Sequence, residues 1–519
     1  MTALQPGVLE GQTLTQDLNV SCDVCIIGSG AGGATTAAVL AQAGLHVVVV
    51  EEGGYFTQNR FRMREEEAFP YLYQEGAQRA SKDLSVGIYQ GKAVGGGTVV
   101  NWTTCFRLPE HTLAHWHKHH GVQDLTANEL IPHYEQVEHR LNIHKVGLDE
   151  INRNNRLLYD GCKALGWEVD TLKRNVRGCA RTGYCGLGCP IDAKQSALVT
   201  TLPDAMRHGA TVISRCRVEK LVTEGSTVTT LEGTFLDGFG RAPTGQVLKL
   251  KAKHFVLSAG AIGSPSVLLR SGIASSSGLT GKRTFLHPVT GSAGVFDEEV
   301  AGYHGAPQGA ASHQFAHRGD DVGYFMEATP LQPLFAASGL GGLGAAHRAQ
   351  LEKLPQLQVT LALTIDGFHD GVPGGTVELD SDGAPRLDYV VQPKQWEALR
   401  EASKSMAKMQ FAAGAKEVKT LHEPTGVMKS PDDIDRVIDR LPYEANKVFV
   451  ASAHQMGGCP MSDNKATGVV RSADLRHHDV ENLHVMDGSV FPTSLGVNPQ
   501  LSIYGVTHRT ASRLAQAWT

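Results

Sequence analysis

The sequence predicts an α/β fold (α+β overall) with a Rossmann-like nucleotide-binding domain and a second domain built on an antiparallel sheet. Three observations support this prediction: a glycine-rich βαβ pattern over residues 22–52, a similar strand–turn–helix pattern that begins near residue 251, and alternating hydrophobic segments between residues 295 and 449. A chain of 519 residues is also too long for one ordinary hydrophobic core, which favours two or more domains.

The first βαβ pattern contains each part of a dinucleotide-binding site. An apolar strand leads into Gly28–Gly33, which matches G-x-G-x-x-G, and an Ala-rich helix follows until Gly44. A β-branched strand then ends in two acidic residues. Glycines permit a tight turn, the helix N-terminus offers free N–H groups to a pyrophosphate, and a carboxylate at this distance reaches a ribose hydroxyl. The predicted ligands of the dinucleotide are Gly28, Gly30, Gly33, Glu51 and Glu52.

Charge and cysteine content argue against several classes of protein. The net charge of −5 disfavours nucleic acid or an anionic membrane surface as the main partner. We find neither a basic and apolar leader nor a run of about 18 apolar residues, so we expect no secretory signal and no transmembrane helix. An odd number of cysteines, nine, is more typical of reduced thiols than of a disulfide framework. These features predict a cytoplasmic location.

A second glycine-rich stretch, residues 91–102, contains Gly95, Gly96 and Gly97 and ends in Asn101 and Trp102. Adjacent glycines bring the backbone close to a flat or anionic group, although a flexible surface loop is the alternative. Together with the first motif and a C-terminal block, this stretch resembles the glucose–methanol–choline family of FAD-dependent alcohol oxidoreductases. The resemblance covers most of the chain, and it implies that Gly95, Gly96, Asn101 and Trp102 lie along the flavin.

The resemblance also bears on how FAD is held. Some members of the family attach FAD through a histidine immediately before the asparagine of this stretch, and Val100 occupies that position here. We therefore expect tight, non-covalent FAD. Further FAD contacts implied by the resemblance are Val218 at the adenine edge, Ala259 and Gly260 at a strand-to-helix turn, and Asp487, Gly488, Pro499 and Gln500 in the C-terminal block.

The C-terminal block contains the predicted catalytic residues, His454 in H-x-x-G-G-C and Asn498. Taken alone, His454 is more typical of a structural histidine, but the resemblance implies that both residues face the flavin and hold the substrate alcohol. Asn498 replaces the second histidine of many family members, as in cholesterol oxidases and long-chain alcohol oxidases. The pattern also predicts Asn498 as the N-cap and Pro499 as the first residue of the last helix. These two roles of Asn498 conflict.

Two groups of potential metal ligands are interpreted as structural, and we predict no metal. Three histidines spaced by four residues would share a helix face, yet no carboxylate or cysteine completes a site. Three cysteines in a glycine-rich loop have the spacing C-x5-C-x3-C, which is not the usual zinc pattern. A metal or iron–sulfur cluster there is the alternative, because some sugar dehydrogenases of the family carry one on a comparable loop. The residues concerned are His111, His115, His119, Cys179, Cys185 and Cys189.

Residues 295–449 are predicted to form the substrate domain. Segments at 358–364, 376–379 and 386–391 alternate as in an antiparallel sheet, and a helix is predicted from Lys394 to Ala413. The stretch Met326–Ala346 has no charge after Glu327 until His347; it is interpreted as ordinary core or as an apolar wall for a hydrophobic substrate. Its large apolar residues are Leu331, Leu334, Phe335, Leu340 and Leu343. Cholesterol oxidases also use a glutamate, but no motif assigns that role to Glu327.

These features together predict an FAD-dependent enzyme that oxidises a long-chain, aromatic or sterol-like alcohol to an aldehyde or ketone. A positioned base would remove the hydroxyl proton while hydride passes to flavin N5, and oxygen or another carrier would accept the electrons. The alternatives are a lyase that uses FAD as a scaffold, a sugar- or choline-type dehydrogenase, and a nicotinamide dehydrogenase. The predicted divisions are nucleotide-domain parts at 18–125, 196–294 and 450–519, an insertion at 126–195, and the substrate domain at 295–449.

Overall fold

The structure, a computed structural model, describes residues 4–519. The strands are β1 Gly7–Glu10, β2 Leu18–Ile27, β3 Val47–Val50, β4 Gly87–Ile88, β5 Ile143–Lys145, β6 Asp170–Thr171, β7 Lys173–Asn175, β8 Thr211–Ser214, β9 Cys216–Glu224, β10 Thr227–Leu236, β11 Pro243–Leu257, β12 Lys282–Phe285, β13 Val289–Val295, β14 Ala310–Ser312, β15 Tyr324–Ala328, β16 Leu357–Thr364, β17 Gly375–Leu379, β18 Pro385–Asp388, β19 Glu417–Thr420, β20 Val427–Met428, β21 Ala451–Ser452, β22 Met456–Gly457 and β23 Leu483–Val485.

The α-helices are α1 Ala31–Gln42, α2 Glu65–Leu72, α3 Glu110–His119, α4 Ala127–Arg140, α5 Arg153–Ala164, α6 Thr201–Arg207, α7 Gly260–Arg270, α8 Pro333–Gly339, α9 Gly344–Leu351, α10 Pro393–Ala412, α11 Ile434–Ile438 and α12 Gln500–Trp518. None of the helices within residues 4–519 has both the length and the apolar character needed to cross a bilayer.

The first sheet is built around the predicted βαβ pattern. Its strand order is β1-β8-β3-β2-β11-β10-β9, with β23 beside β11. The neighbours from β1 to β11, and β23, are parallel, whereas β10 and β9 continue the sheet in antiparallel pairs. All four valines of β3 are buried, which explains an unbroken apolar run instead of an alternating one. The predicted Rossmann-like core is confirmed. The short apolar strand predicted directly before Gly28, residues 24–27, is the end of a longer strand, because β2 starts at Leu18.

The second large sheet has nine strands, of which β21 lies beside β13 and β4 lies beside β21. Its order is β20-β19-β13-β16-β15-β14-β6, and every pair along this path is antiparallel. Helix α10 packs against β13 and β16, within one residue of the predicted helix. The predicted antiparallel sheet is therefore confirmed, while the proposed division into domains stays a prediction.

Two of the strands predicted for that sheet belong elsewhere. β17 and β18 join β12 and β22 in a four-stranded sheet, because β17 pairs with Lys282 and Thr284 of β12 and not with β16. Alternating hydrophobicity identifies a strand, but it carries no information about which distant strand becomes its neighbour.

Candidate active site

One cavity of about 900 Å³ runs from the glycine-rich turn after β2 to the nine-stranded sheet. The first sheet and its turns line one end, and β13, β15 and β16 contribute to the other. Sixteen of the eighteen predicted site residues line it: Gly28, Gly30, Glu51, Glu52, Gly96, Asn101, Trp102, Val218, Ala259, Gly260, His454, Asp487, Gly488, Asn498, Pro499 and Gln500. A region of this size and composition is typical of a cofactor and substrate site.

Gly33 and Gly95, the two remaining predicted residues, lie behind the cavity wall. A Cβ on Gly33 would come within 2.0 Å of the Gly28 carbonyl oxygen, so this glycine allows α1 to pack against the turn. Gly95 has φ +101°, and a Cβ there would lie 2.8 Å from the Val99 side chain. Both glycines allow close packing of the wall, and their predicted contact with the cofactor stays a prediction.

The two glycine-rich stretches are joined by a hydrogen-bonded chain through Ser29. The Gly95 N–H donates to Ser29 Oγ at 2.9 Å, and the Ser29 hydroxyl donates to Glu51 Oε2 at 2.7 Å. The backbone N–H groups of Ser29 and Gly53 also donate to the Glu51 carboxylate. Burial raises the pKa of Glu51 in spite of these bonds. Ser29 was not predicted, because it occupies a variable position of the motif.

Glu51 and Glu52 have different surroundings although they are adjacent and both line the cavity. Glu52 forms an ion pair with Lys92, with Nζ and Oε1 2.9 Å apart, and accepts a longer hydrogen bond from Gln74. The carboxylate nearest the glycine-rich turn is that of Glu51.

Asp487 lies at the turn between β11 and α7. Its carboxylate accepts hydrogen bonds from the Gly260 N–H at 2.8 Å and the Ser264 hydroxyl at 2.5 Å, and these bonds fix the N-terminus of α7.

His454 and Asn498 lie side by side in the cavity, and a third residue joins them. The Asn498 amide lies 3.3 Å from His454 Nε2 and 3.2 Å from Glu327 Oε2. Gln308 donates to the same Glu327 oxygen at 2.7 Å. The signal that could have identified Glu327 is its place as the only charge in the fully buried strand β15. Gln308 carried no recognisable signal.

The helix cap predicted for Asn498 is wrong. Helix α12 begins at Gln500, its N-cap is Pro499, and the Asn498 side chain makes no bond to the helix. The amide faces His454 and Glu327 instead, so the conflict between its two predicted roles disappears. The next residue, Gln500, accepts from Asn101 Nδ2 at 2.7 Å and donates to the Thr104 carbonyl oxygen. The start of α12 is therefore fixed to the second glycine-rich stretch.

Burial shifts the two titratable groups of this cluster toward their neutral forms. It lowers the pKa of His454 to about 4, so the imidazole is neutral near pH 7. Burial raises the pKa of Glu327 to about 7, and the hydrogen bonds from Asn498 and Gln308 limit that rise. A buried carboxyl group that titrates near neutrality beside a cavity is suited to exchange protons with a substrate.

The apolar part of the cavity differs from the predicted wall. Within Met326–Ala346, only Phe335 among the five large apolar residues named above lines the cavity. Leu331 and Leu340 are buried in a separate core, whereas Leu334 is 48% exposed and Leu343 is 91% exposed. The nine-stranded sheet and the loop before β21 contribute further apolar side chains to the cavity: Val289, Leu361, Leu363, Phe449 and Ala451.

The potential metal ligands are dispersed. Within residues 4–519, no three His, Cys, Asp or Glu side chains are placed to hold a metal ion. The predicted histidines lie on α3, where His111 packs against His317 and His115 packs against His119. The thiol sulfurs of the cysteine loop accept bonds from three different donors: Cys179 from the Arg181 N–H, Cys185 from Arg174 Nη2, and Cys189 from the Lys194 N–H.

The cavity fits a flavin dinucleotide in two respects. A Cβ on Gly30 would come no closer than 3.9 Å to another group of the protein, so the missing side chain leaves space beside the N-terminus of α1. Three buried oxygens of the cavity wall, Asn101 Oδ1, Glu327 Oε1 and Asn498 Oδ1, have no hydrogen-bond partner within residues 4–519. Such atoms are normally satisfied by a bound molecule or water. The turn suits a pyrophosphate, and these oxygens suit polar groups at the opposite end.

The chain matches two family profiles described as GMC oxidoreductase, over residues 69–289 and 372–507. A profile described as FAD binding domain matches residues 21–69. An uncharacterized GMC-type oxidoreductase of Mycobacterium tuberculosis is 34% identical over 497 residues, which cover 95% of this chain and 75% of that protein. A long-chain-alcohol oxidase of Arabidopsis thaliana is 28% identical over 531 residues, which cover 97% of this chain and 69% of that protein.

Two solved structures share this fold at low sequence identity to the chain. Pyridoxine 4-oxidase from Mesorbium loti superimposes with a TM-score of 0.70 at 18% identity, covering 95% of this chain and 99% of its own. A formate oxidase superimposes with a TM-score of 0.69 at 16% identity, covering 97% of this chain and 99% of its own. At these identities the likeness establishes the fold alone.

Proposed function

This chain belongs to the GMC oxidoreductase family of FAD-dependent enzymes that act on CH–OH donors, and we propose that its substrate is a hydrophobic alcohol. The observation that carries the proposal is the cluster of His454, Asn498 and Glu327 beside apolar side chains of the cavity. The product would be an aldehyde or a ketone. The long-chain-alcohol oxidase among the relatives supports the same substrate class.

The cluster supplies the groups that alcohol oxidation needs from the protein. When bound, FAD supplies the acceptor for the hydride that leaves the alcohol carbon. His454 and Asn498 would hold the alcohol oxygen, and either His454 Nε2 or the Glu327 carboxylate would take the hydroxyl proton. A proton acceptor placed in this way typically increases the rate by a factor of about 10²–10⁴. Oxygen or another carrier would then accept the electrons.

The nine free thiols support a cytoplasmic location, because thiols stay reduced in that compartment.

The substrate class predicts a dependence on chain length. Each methylene buried against residues such as Leu361, Leu363 and Phe449 contributes about 0.8 kcal/mol, or roughly fourfold in affinity. We therefore expect kcat/KM for linear primary alcohols to rise with length until the apolar region is filled. Anaerobic flavin bleaching with linear, aromatic, sterol and sugar alcohols measures this directly. A preference for glucose or choline over hexanol and longer alcohols would reject the proposed substrate.

We also propose that FAD is bound without a covalent link. Val100 stands immediately before Asn101, where a histidine would form the link in some relatives, and its side chain offers no nucleophile. The purified protein should be yellow, and acid precipitation should leave the colour in the supernatant. The spectrum of the supernatant, compared with that of free FAD, gives the released fraction. Flavin that remains with the washed pellet would contradict the proposal.

A further inference from the structure

His287 lies directly behind His454, outside every motif used above. It is 0% exposed, and its Nδ1 atom is 3.2 Å from His454 Nδ1. On its other side, His287 Nε2 accepts a hydrogen bond of 3.1 Å from the Gly496 N–H, two residues before Asn498. His287 thus connects the backbone of the C-terminal block to the ring of the predicted catalytic histidine.

These two contacts determine where the protons of both rings lie. A backbone N–H can only donate, so His287 Nε2 must present a lone pair to Gly496. A neutral imidazole with a lone pair on Nε2 carries its proton on Nδ1. His287 Nδ1 is therefore the donor in the bond between the rings, and His454 Nδ1 is the acceptor. The neutral His454 ring must then carry its own proton on Nε2, the atom that faces the cavity.

The backbone of His287 has a left-handed conformation that is held by contacts from two other segments. Its φ is +50°, a value uncommon for residues other than glycine. The buried carboxylate of Asp366 accepts from the Leu286 N–H at 2.9 Å and from the His287 N–H at 3.1 Å. Ser452 joins the two segments, because its oxygen accepts from the His454 N–H and its hydroxyl donates to the Leu286 carbonyl.

We propose that His287 is a positioning residue that keeps the proton of His454 on Nε2, so that His454 meets the substrate as a hydrogen-bond donor and not as the proton acceptor. The proposal rests on the proposed alcohol oxidation. It decides between the two acceptors left open above. The hydroxyl O–H bond breaks, its electron pair stays on the alcohol oxygen, and the proton bonds to an oxygen of Glu327. His454 Nε2–H then donates to the oxygen on which negative charge develops.

Asn498 is compatible with this assignment through its bond to Glu327. Its amide nitrogen lies 3.2 Å from Glu327 Oε2 and 3.3 Å from His454 Nε2. A protonated Nε2 accepts no hydrogen bond, so the amide donates to Glu327 alone, and the Nε2–H of His454 is left for the alcohol oxygen.

The tautomer of His454 can be determined in the absence of substrate. In FAD-loaded enzyme labelled with ¹⁵N in the histidine rings, NMR distinguishes a protonated ring nitrogen from one with a lone pair. The His454 signals are assigned by their loss in His454→Asn. We expect a proton on Nε2 and a hydrogen-bonded lone pair on Nδ1. A His454 ring with its proton on Nδ1 overturns the proposal, whether or not any alcohol is oxidised.

Two replacements of His287 extend the test to the reaction. His287→Asn keeps an N–H donor near the Nδ1 position and tolerates a positive φ, so we expect the Nε2–H tautomer and a rate within about tenfold of wild type. His287→Phe keeps a ring but removes the donor, so we expect both tautomers of His454 and flavin reduction slower by about 10–100-fold. An unchanged tautomer and rate in His287→Phe overturns the proposal. If His287→Phe does not fold, the NMR spectrum of the wild-type enzyme still tests the assigned tautomer of His454. If the wild-type enzyme oxidises none of the alcohols tested, the proposed function is refuted, but the assigned tautomer of His454 is not.

Discussion

Replacing His454 with alanine is expected to slow flavin reduction by an alcohol about 100-fold or more while FAD stays bound. The variant loses the ring that we propose as a donor to the alcohol oxygen, and removal of one such donor from a buried site typically costs a factor of about 10²–10³ in rate. FAD binding should persist, because the glycine-rich turn and Glu51 lie at the opposite end of the cavity. Anaerobic stopped-flow spectroscopy measures the rate, and the flavin-to-protein absorbance ratio measures occupancy.

His422→Ala is a matched control for this experiment. His422 is 1% exposed and its pKa is lowered to about 4, as for His454, but its ring packs against Tyr443 and does not line the cavity. The control loses a buried imidazole of the same kind, so it should lose stability and keep its rate of flavin reduction. If His454→Ala reduces its flavin as fast as this control does, His454 has no part in the reaction.

Glu327→Gln is expected to lower kcat/KM about 100-fold and to remove a pH dependence near neutrality. The carboxyl group can accept a proton only when ionised, and burial places its pKa at about 7. In wild type, kcat/KM should therefore rise with pH through about 7 and then level off. Glutamine keeps the shape and the contact with Asn498 but cannot ionise, so the rise should disappear. His454, with a pKa of about 4, does not titrate in this range.

The control for the pH profile is Glu65→Gln. Glu65 lines the same cavity, burial raises the pKa of its carboxyl group, and it accepts the N–H groups of Leu334 and Phe335 at the start of α8. This variant should keep the rise through pH 7 even if the shape of the cavity changes. A Glu327→Gln profile that still rises through pH 7 would assign the proton acceptor to another group.

The sequence was sufficient where structure and function depend on neighbouring residues. The turn at Gly28 and helix α1 follow from local patterns, and Glu51 lies where a strand of that length ends. The prediction for Asn498 failed because an Asn before a Pro satisfies a local capping rule, whereas tertiary partners determine where its amide points.

The residues that were missed depend on distant contacts. Glu327 is 171 positions from Asn498, and His287 is 167 positions from His454. No periodicity in one sequence encodes such a pairing. The same limit applies to β17, whose partner β12 lies far away along the chain. A single acid in an apolar strand was the one local sign of Glu327, and it gave neither the partner nor the direction of the side chain.

The position of β23 in the first sheet has a consequence for biosynthesis. The sheet begins with β1 and β2, yet β23 joins it beside β11 from the last tenth of the chain, and Asp487 and Gln500 complete the cavity. A ribosome releases the glycine-rich turn early, when the walls that would enclose a nucleotide do not yet exist. Retention of FAD must therefore follow synthesis of the segment that contains β23, Asp487 and Gln500.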